Sequence, residues 1–234
     1  MINKKSIILL VLFYYIYSLL VSGKIFYFIH PRMLIYIRIC LVFLVVLIIV
    51  QIIELFMKNS ERHECSFIIL FPVILAVLIN PQGLSGQVAA NKGTILSQKV
   101  SLKDSAINPS DLFVNDSNFT SVTDDIIYSD PNKYKGKKLT ITGFVYKSND
   151  MGKNEFLIAR LMMVCCAADA EVTGILSSFD KSYTLKSDEW ITISGTIDTT
   201  TKKSGTGASE VIPIVIVKSI VPAQKPKNPY IYPE

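Results

Sequence analysis

Histidine is nearly missing from this 234-residue sequence: His30 and His63 are the only two, and both lie in the first third. The remaining two thirds therefore hold no histidine to act as a base for a cysteine nucleophile or to complete a zinc cage. Cysteine is scarce as well. The four are Cys40, Cys65, Cys165 and Cys166, and neither CxxC nor CxxxC occurs, so zinc-finger and thioredoxin spacings are absent. From Pro81 onward there is no basic excess, with 17 basic against 16 acidic residues. A surface that neutralises nucleic-acid phosphates needs such an excess, so nucleic acid is not an expected partner. Arg160 is the single arginine after Arg62, and Trp190 is the single tryptophan.

What is abundant is apolar sequence, unevenly spread. Half of the residues are hydrophobic and the mean hydropathy is +0.40, most of it contributed before about residue 80. A membrane part followed by one globular domain is expected. "SIILLVLFYYIYSLLVSG" (6–23) follows Lys4 and Lys5 and approaches the roughly 20 residues of a spanning helix. Its rival is a cleaved signal peptide ending at small residues Ser22 and Gly23. "MLIYIRICLVFLVVLIIVQIIELFM" (33–57) is the clearest span, broken only by Arg38, Gln51 and Glu54. Arg38 lies near one end and can snorkel, and Glu54 lies near the other. "SFIILFPVILAVLIN" (66–80) is shorter, carries Pro72, and reads as a third span or a re-entrant segment. With the N-terminus inside, Lys4, Lys5, Lys58 and Arg62 are cytoplasmic, and Lys24 and Arg32 are outside. Three spans then place the rest of the chain outside; if the third segment does not cross, the rest is cytoplasmic.

Residues 81–120 are poor in aromatics, rich in small and polar residues, and read as a linker. A short helix is expected from Ser121, where Ser121 and Asp124 approximate a capping box, to a point before Pro131. From Lys137 the period changes to two. "KKLTITGFVYK", "NEFLIARLMMV", "EVTGILSS", "EWITISGTID" and "EVIPIVIVKSI" read as strands. Gly143 and Gly195 mark bulges or close approaches. The expected fold is a set of N-terminal transmembrane α-helices followed by a small all-β, OB-like five-stranded barrel with a short preceding helix. The anchor covers 1–80, the linker 81–120, the barrel 121–222 and a proline-rich tail 223–234. An open sandwich is the competing β architecture, and the tail is either an extended strap on the barrel or a docking strap for a partner.

"PRM" after the first span, "LSGQVAANKG", "NKYKGKKLTITGFVY", "FLIARLMMVCCAADA", "WITISGT" and the closing "NPYIYP" together resemble the blocks of the YcgQ-like family of bacterial membrane proteins, which are grouped as permease subunits. The resemblance covers nearly the whole chain, and the double cysteine followed by Ala-Ala-Asp-Ala is its most specific element. It implies a multi-pass cell-membrane protein that works beside a larger permease, and it brings no chemical activity with it. The motif positions are Arg160, Cys165, Cys166, Asp169, Gly143, Gly195 and Trp190.

The double cysteine admits four readings. Adjacent side chains on a regular strand point to opposite faces, so the thiols can share a task only where the chain bends. They can be small buried apolar groups or a vicinal disulfide, which persists in an oxidising compartment. They can be part of a soft-metal site with Cys165, Cys166 and Asp169 as ligands, completed by a partner, a second copy or a substrate ion. The fourth reading, a catalytic thiol, lacks a histidine base. Arg160 reads as a surface residue with a loose ion pair, or as a partner of Asp169 or Glu171 across the bend. These expectations combine into a non-enzymatic accessory subunit, held in the lipid bilayer, with a domain outside the cytoplasm that presents the two cysteines to a permease or its substrate. No cofactor is expected beyond a soft metal ion. The alternative is a protein that captures a soft metal or thiol ligand and hands it to a transporter.

Overall fold

The computed structural model describes residues 4–56, 111–130, 132–149, 151–203 and 209–233. The expected third span at 66–80, with Pro72, Cys65 and His63 nearby, lies outside the described residues. Internal contacts divide the chain into two units. One comprises Met1–Gly83 with Cys165–Ala168, and the other Leu84–Val164 with Asp169–Glu234.

The first unit contains helix α1 (Lys4–Val21) and helix α2 (Leu34–Phe56), which pack against each other. Pro31–Ile53 is long and apolar enough to cross a bilayer, with a mean hydropathy of 3.1. At about 1.5 Å per residue, α2 matches a hydrocarbon core of about 30 Å. Ile7–Val21 is apolar but shorter. Ile35, Ile39, Val42, Phe43 and Ile49 on α2 are all exposed. A largely apolar helix with this many exposed apolar side chains has the surface that lipid solvates. Between the helices, Gly23 adopts φ 70° at the end of α1, where only glycine is unstrained, and a 3₁₀ turn follows at Lys24–Tyr27. The "PRM" triplet is the 3₁₀ turn that starts α2. Pro31 occupies its first position, and His30 Nδ1 accepts a hydrogen bond from the Arg32 amide at 2.9 Å.

Among its described residues, the second unit is a seven-stranded mixed sheet with one α-helix. Its strands are β1 (Asp111–Val114), β2 (Lys138–Tyr146), β3 (Glu155–Met162), β4 (Glu171–Ser178), β5 (Trp190–Lys203), β6 (Ser209–Pro222) and β7 (Tyr230–Ile231). Helix α3 spans Phe119–Tyr128. β2 pairs antiparallel with both β3 and β5, β5 antiparallel with β6, β6 parallel with β4, and β4 antiparallel with β3. These pairings form a ring. β1 adds parallel to β2, and β7 parallel to β3.

The alternation seen in the sequence fixes which side chains point inward. Leu139, Ile141 and Val145 of β2 and Ile191, Ile193 and Ile197 of β5 join the core with Phe156, Ile158 and Val215. On the opposite face, the hydroxyls of Thr140 and Ser194 lie 2.9 Å apart, and those of Thr142 and Thr192 2.8 Å apart. The register shift between Ser194 and Gly195 is a bulge, and a Cβ on Gly195 would lie 2.3 Å from the Ile216 carbonyl oxygen. At Gly143 a Cβ would approach the Ala159 carbonyl to 2.5 Å.

Seven strands replace the expected all-β five, and the two additions fall in segments read as linker and tail. "DLFV" is only four residues, flanked by polar turn formers, too short to announce a strand. Its Leu112 and Val114 are nevertheless core residues. β7 is two residues set between prolines, and Tyr230 and Ile231 are 3% and 2% exposed. The helix starts two residues earlier than expected, because Phe119, Val122 and Ile126 bury one face. The Ser121–Asp124 capping box does not form; Ser121 Oγ donates to the Asn118 carbonyl at 3.2 Å. β3 ends at Met162 rather than Val164, and β5 extends to Lys203 rather than Asp198.

Candidate functional site

The double cysteine lies where strand geometry stops. After Met162 the chain makes one further sheet-like bond, from the Met163 amide to the Ile231 carbonyl at 3.0 Å. Asp169 then folds the segment into a closed turn, its Oδ1 accepting from the Val164 amide at 3.0 Å. A 3₁₀ turn at Ala167–Asp169 leads into β4. Within the first unit, Cys165 and Ala167 form a short ladder with the loop between α1 and α2. The His30 amide donates to the Cys165 carbonyl at 3.0 Å, the Ala167 amide donates to the Phe28 carbonyl at 2.8 Å, and Ile29 bridges Cys166 in antiparallel sense.

This bend brings together sulfurs that a strand would set on opposite faces. The Sγ atoms of Cys165 and Cys166 lie 3.7 Å apart, well beyond the ~2.05 Å of a disulfide. Cys165 is exposed and Cys166 half-buried, so neither packs as a small core residue. One ligand atom each from Cys165, Cys166 and Asp169 lies within 4.8 Å of the others. Two cysteine sulfurs and a carboxyl group at that separation are a soft-leaning, three-sided donor set.

Arg160 departs furthest from expectation. It is 1% exposed and shares the core-facing side of β3 with Phe156 and Ile158. Its acid is neither Asp169 nor Glu171. Nη1 donates to Asp116 Oδ1 at 2.5 Å, and the Asp116 side chain is 68% exposed. Asp116 lies in the turn between β1 and α3, where Asn115 Oδ1 accepts from the amides of Ser117 and Asn118. The guanidinium carbon sits 5.0 Å from the Trp190 ring centroid and 5.7 Å from that of Phe119. Trp190 in turn packs on Phe144 at 5.8 Å. Arg160 Nε and Nη2 are buried with no hydrogen-bond partner among the described residues. Arg160, Trp190, Asp116 and Thr142, with Gln224 and Pro226 of the C-terminal strap, line a pocket of about 510 Å³.

The motif residues therefore fall into two places. Cys165, Cys166 and Asp169 form the bend, and Arg160 and Trp190 form the pocket. Gly143 sits on β2 beside Ala159, immediately before Arg160, and Gly195 makes the bulge in β5. Asp116, Phe119 and Gln224 carry no signal in the sequence, since 44 residues separate Asp116 from Arg160. The sequence offered only the oddity of one arginine in a long stretch without another.

These features define a protein with an N-terminal helix suited to a bilayer and a C-terminal β domain that carries a two-cysteine bend and an arginine pocket. The chain belongs to the DUF1980 family. The family's N-terminal domain matches residues 5–95 and its C-terminal domain residues 90–233. One relative is the UPF0703 protein YcgQ of Bacillus subtilis (strain 168), 34% identical over 119 residues, or 48% of this chain and 41% of the relative. Another, a candidate two-component membrane permease complex subunit of Streptococcus mutans serotype c, is 26% identical over 108 residues, or 46% of this chain and 38% of that protein. The matches thus span less than half the length of either relative. Among solved structures, the mitochondrial single-stranded DNA binding protein Rim1 of S. cerevisiae overlaps 38% of this chain and 95% of its own, with 10% identity and a TM-score of 0.25. A small single-stranded DNA-binding protein of Streptomyces coelicolor overlaps similarly, with a TM-score of 0.25. At that score neither overlap bears on fold or function.

Proposed function

We propose that this protein is a non-catalytic, membrane-anchored accessory subunit of a bacterial permease, whose OB-like domain lies outside the cytoplasm and presents the Cys165–Cys166 bend. The observation that carries this reading is the family membership, together with the relative described as a candidate permease complex subunit and the exposed apolar helix at Pro31–Ile53. The ring of pairings through β2, β3, β4, β6 and β5 supports the OB-like description, with β1 and β7 as additions. Nothing in the composition of the domain favours nucleic acid, because its charges nearly balance. Purification from native membranes in mild detergent tests the role. A multi-span permease is expected in the complex at a fixed ratio, and a strictly monomeric protein refutes the role. Labelling of intact cells with a membrane-impermeant maleimide tests the sidedness. Cys165 is expected to react without lysis; labelling only after lysis places the domain inside.

A second reading rests on the closeness of the donor atoms of Cys165, Cys166 and Asp169. In it the bend takes a soft ion such as copper(I) or zinc as cargo and passes it to a transporter, with a fourth ligand supplied by the recipient. Metal content of the purified chain decides, with the Cys165→Ser/Cys166→Ser double variant as the comparison. Equal content in both removes this reading.

A further inference from the structure

We propose that the Arg160 pocket is a binding site for a small-molecule carboxylate, gripped through Arg160 Nε and Nη2 with the body of the ligand against Trp190. The inference is independent of the permease role and of the cysteine bend.

A guanidinium offers two donor edges. On Arg160 the Nη1 position is taken by Asp116. Nε and Nη2 lie together on one edge, their N–H bonds run nearly parallel, and both are without a partner. That pair is the fork that receives the two oxygens of one carboxylate. Buried arginines retained for the fold alone have their donors satisfied, because an unmet buried donor opposes folding. Here the charge is buried on the core-facing side of a strand, with two aromatic rings nearby, and left with both donors of that fork unmet beside a 510 Å³ pocket. That volume lies in the range of small-molecule sites.

Three features choose a carboxylate over a phosphate. The ring centroids of Trp190 and Phe119 lie 5.0 and 5.7 Å from the guanidinium carbon, and space crowded by two rings suits a flat group better than a tetrahedral one. The Asp116 carboxylate stands in the same pocket and repels a dianion more strongly than a monoanion. The pocket holds a single arginine and no lysine, whereas phosphate sites gather several donors or a helix N-terminus. Pro226 and the indole of Trp190 supply apolar surface for the rest of the ligand.

Trp190 is the only tryptophan in the chain, so its fluorescence reports this pocket directly. The full chain in detergent is titrated at constant ionic strength with benzoate, phenylphosphonate and chloride, and isothermal calorimetry serves as a second readout. Benzoate is expected to give a saturable change with Kd in the range of ~0.1–10 mM. Phenylphosphonate should bind at least ~10-fold more weakly and chloride should give no saturation. Arg160→Lys keeps a charge but loses the fork, and should weaken benzoate at least ~10-fold. Asp116→Asn, at an exposed position, should tighten benzoate ~2- to 5-fold and narrow the gap to phenylphosphonate. If Arg160→Lys does not fold, the direction of the Asp116→Asn shift decides. Equal benzoate affinity in wild type and in the variants, or no saturation by either readout, overturns the site. Phenylphosphonate binding as tightly as benzoate overturns its assignment to a carboxylate.

Discussion

Replacing Arg160 by methionine should stabilise the β domain, an unusual expectation for a side chain that is 1% exposed. Methionine has a similar reach and no donors. The change removes two buried, unpartnered N–H groups, Nε and Nη2, each costing about 1–3 kcal/mol in the folded state. It also removes two cation–aromatic contacts worth about 0.5–2 kcal/mol each. The ion pair to Asp116 is lost as well, but that carboxylate is 68% exposed, so the pair contributes about 1 kcal/mol or less. A methionine thioether packing on Phe119 and Trp190 recovers part of the aromatic contact, about 0.3–1.5 kcal/mol. The balance is a gain of about 1–2 kcal/mol, the sign found when buried ions give way to apolar side chains of like volume. For a domain of this size that is a rise of roughly 4–8 °C in Tm. Thermal unfolding of the full chain in detergent, followed by Trp190 fluorescence and circular dichroism, measures it. A loss of more than ~2 kcal/mol would mean that Arg160 is held by interactions the structure does not contain, and would refute the claim that it is retained for a ligand rather than for the fold.

Asp124 on α3 is pushed up to about 6 from 3.8 by burial. A carboxyl raised in the folded state contributes stability below its unfolded value and loses it as pH rises through about 6. Asp124→Asn should therefore stabilise the protein at pH 8 and change nothing at pH 3.5. The full shift corresponds to about 3 kcal/mol, reduced to about 1 kcal/mol because the side chain is only partly shielded from water; equal effects at both pH values would exclude the mechanism. Gly143→Ala places a methyl 2.5 Å from the Ala159 carbonyl and should cost about 2–4 kcal/mol in urea unfolding, since backbone rather than a side chain must yield. Ile231→Ala should cost about 2–4 kcal/mol, because Ile231 belongs to the core cluster and its carbonyl anchors Met163; a neutral result would mean that the strap is not part of the folded domain. Mild diamide treatment should join Cys165 to Cys166, whose sulfurs are 3.7 Å apart, with a mass loss of two hydrogens confined to the peptide that holds both.

The five ring strands were legible in the sequence because a period of two is written directly in "LTITGFV" and "WITISGT". The same residues, Leu139, Ile141, Ile191 and Ile193, are core. Gly143 and Gly195 were legible because a glycine inside such a pattern has few other uses. Helix α2 was legible because little but a bilayer or a deep core accepts a stretch this long that is broken only by Arg38, Gln51 and Glu54. β1, β7 and the start of α3 were not, because four-residue and two-residue strands carry too few positions for a period, and their burial comes from partners elsewhere in the chain. The capping box failed for a related reason: Phe119 gains more by burial than the Ser121 hydroxyl gains at a cap.

The cysteine bend was half legible. Two adjacent cysteines with Asp169 three residues later named the ligand atoms, but strand geometry argued that they diverge. Only the turn closed by the Val164–Asp169 hydrogen bond brings the sulfurs together. Arg160 shows the opposite balance. By itself the sequence determined which residues are apolar, where they repeat, and that one arginine stands alone after residue 62, since these are properties of order along the chain. Tertiary structure decided that this arginine faces inward and that an aspartate 44 residues away takes its Nη1 donor. It also decided that the sole tryptophan lies beside it, its ring centroid 5.0 Å from the guanidinium carbon. Those relations depend on which strands become neighbours, and burial in a low-dielectric pocket, rather than residue type, gives the charge its chemical consequence.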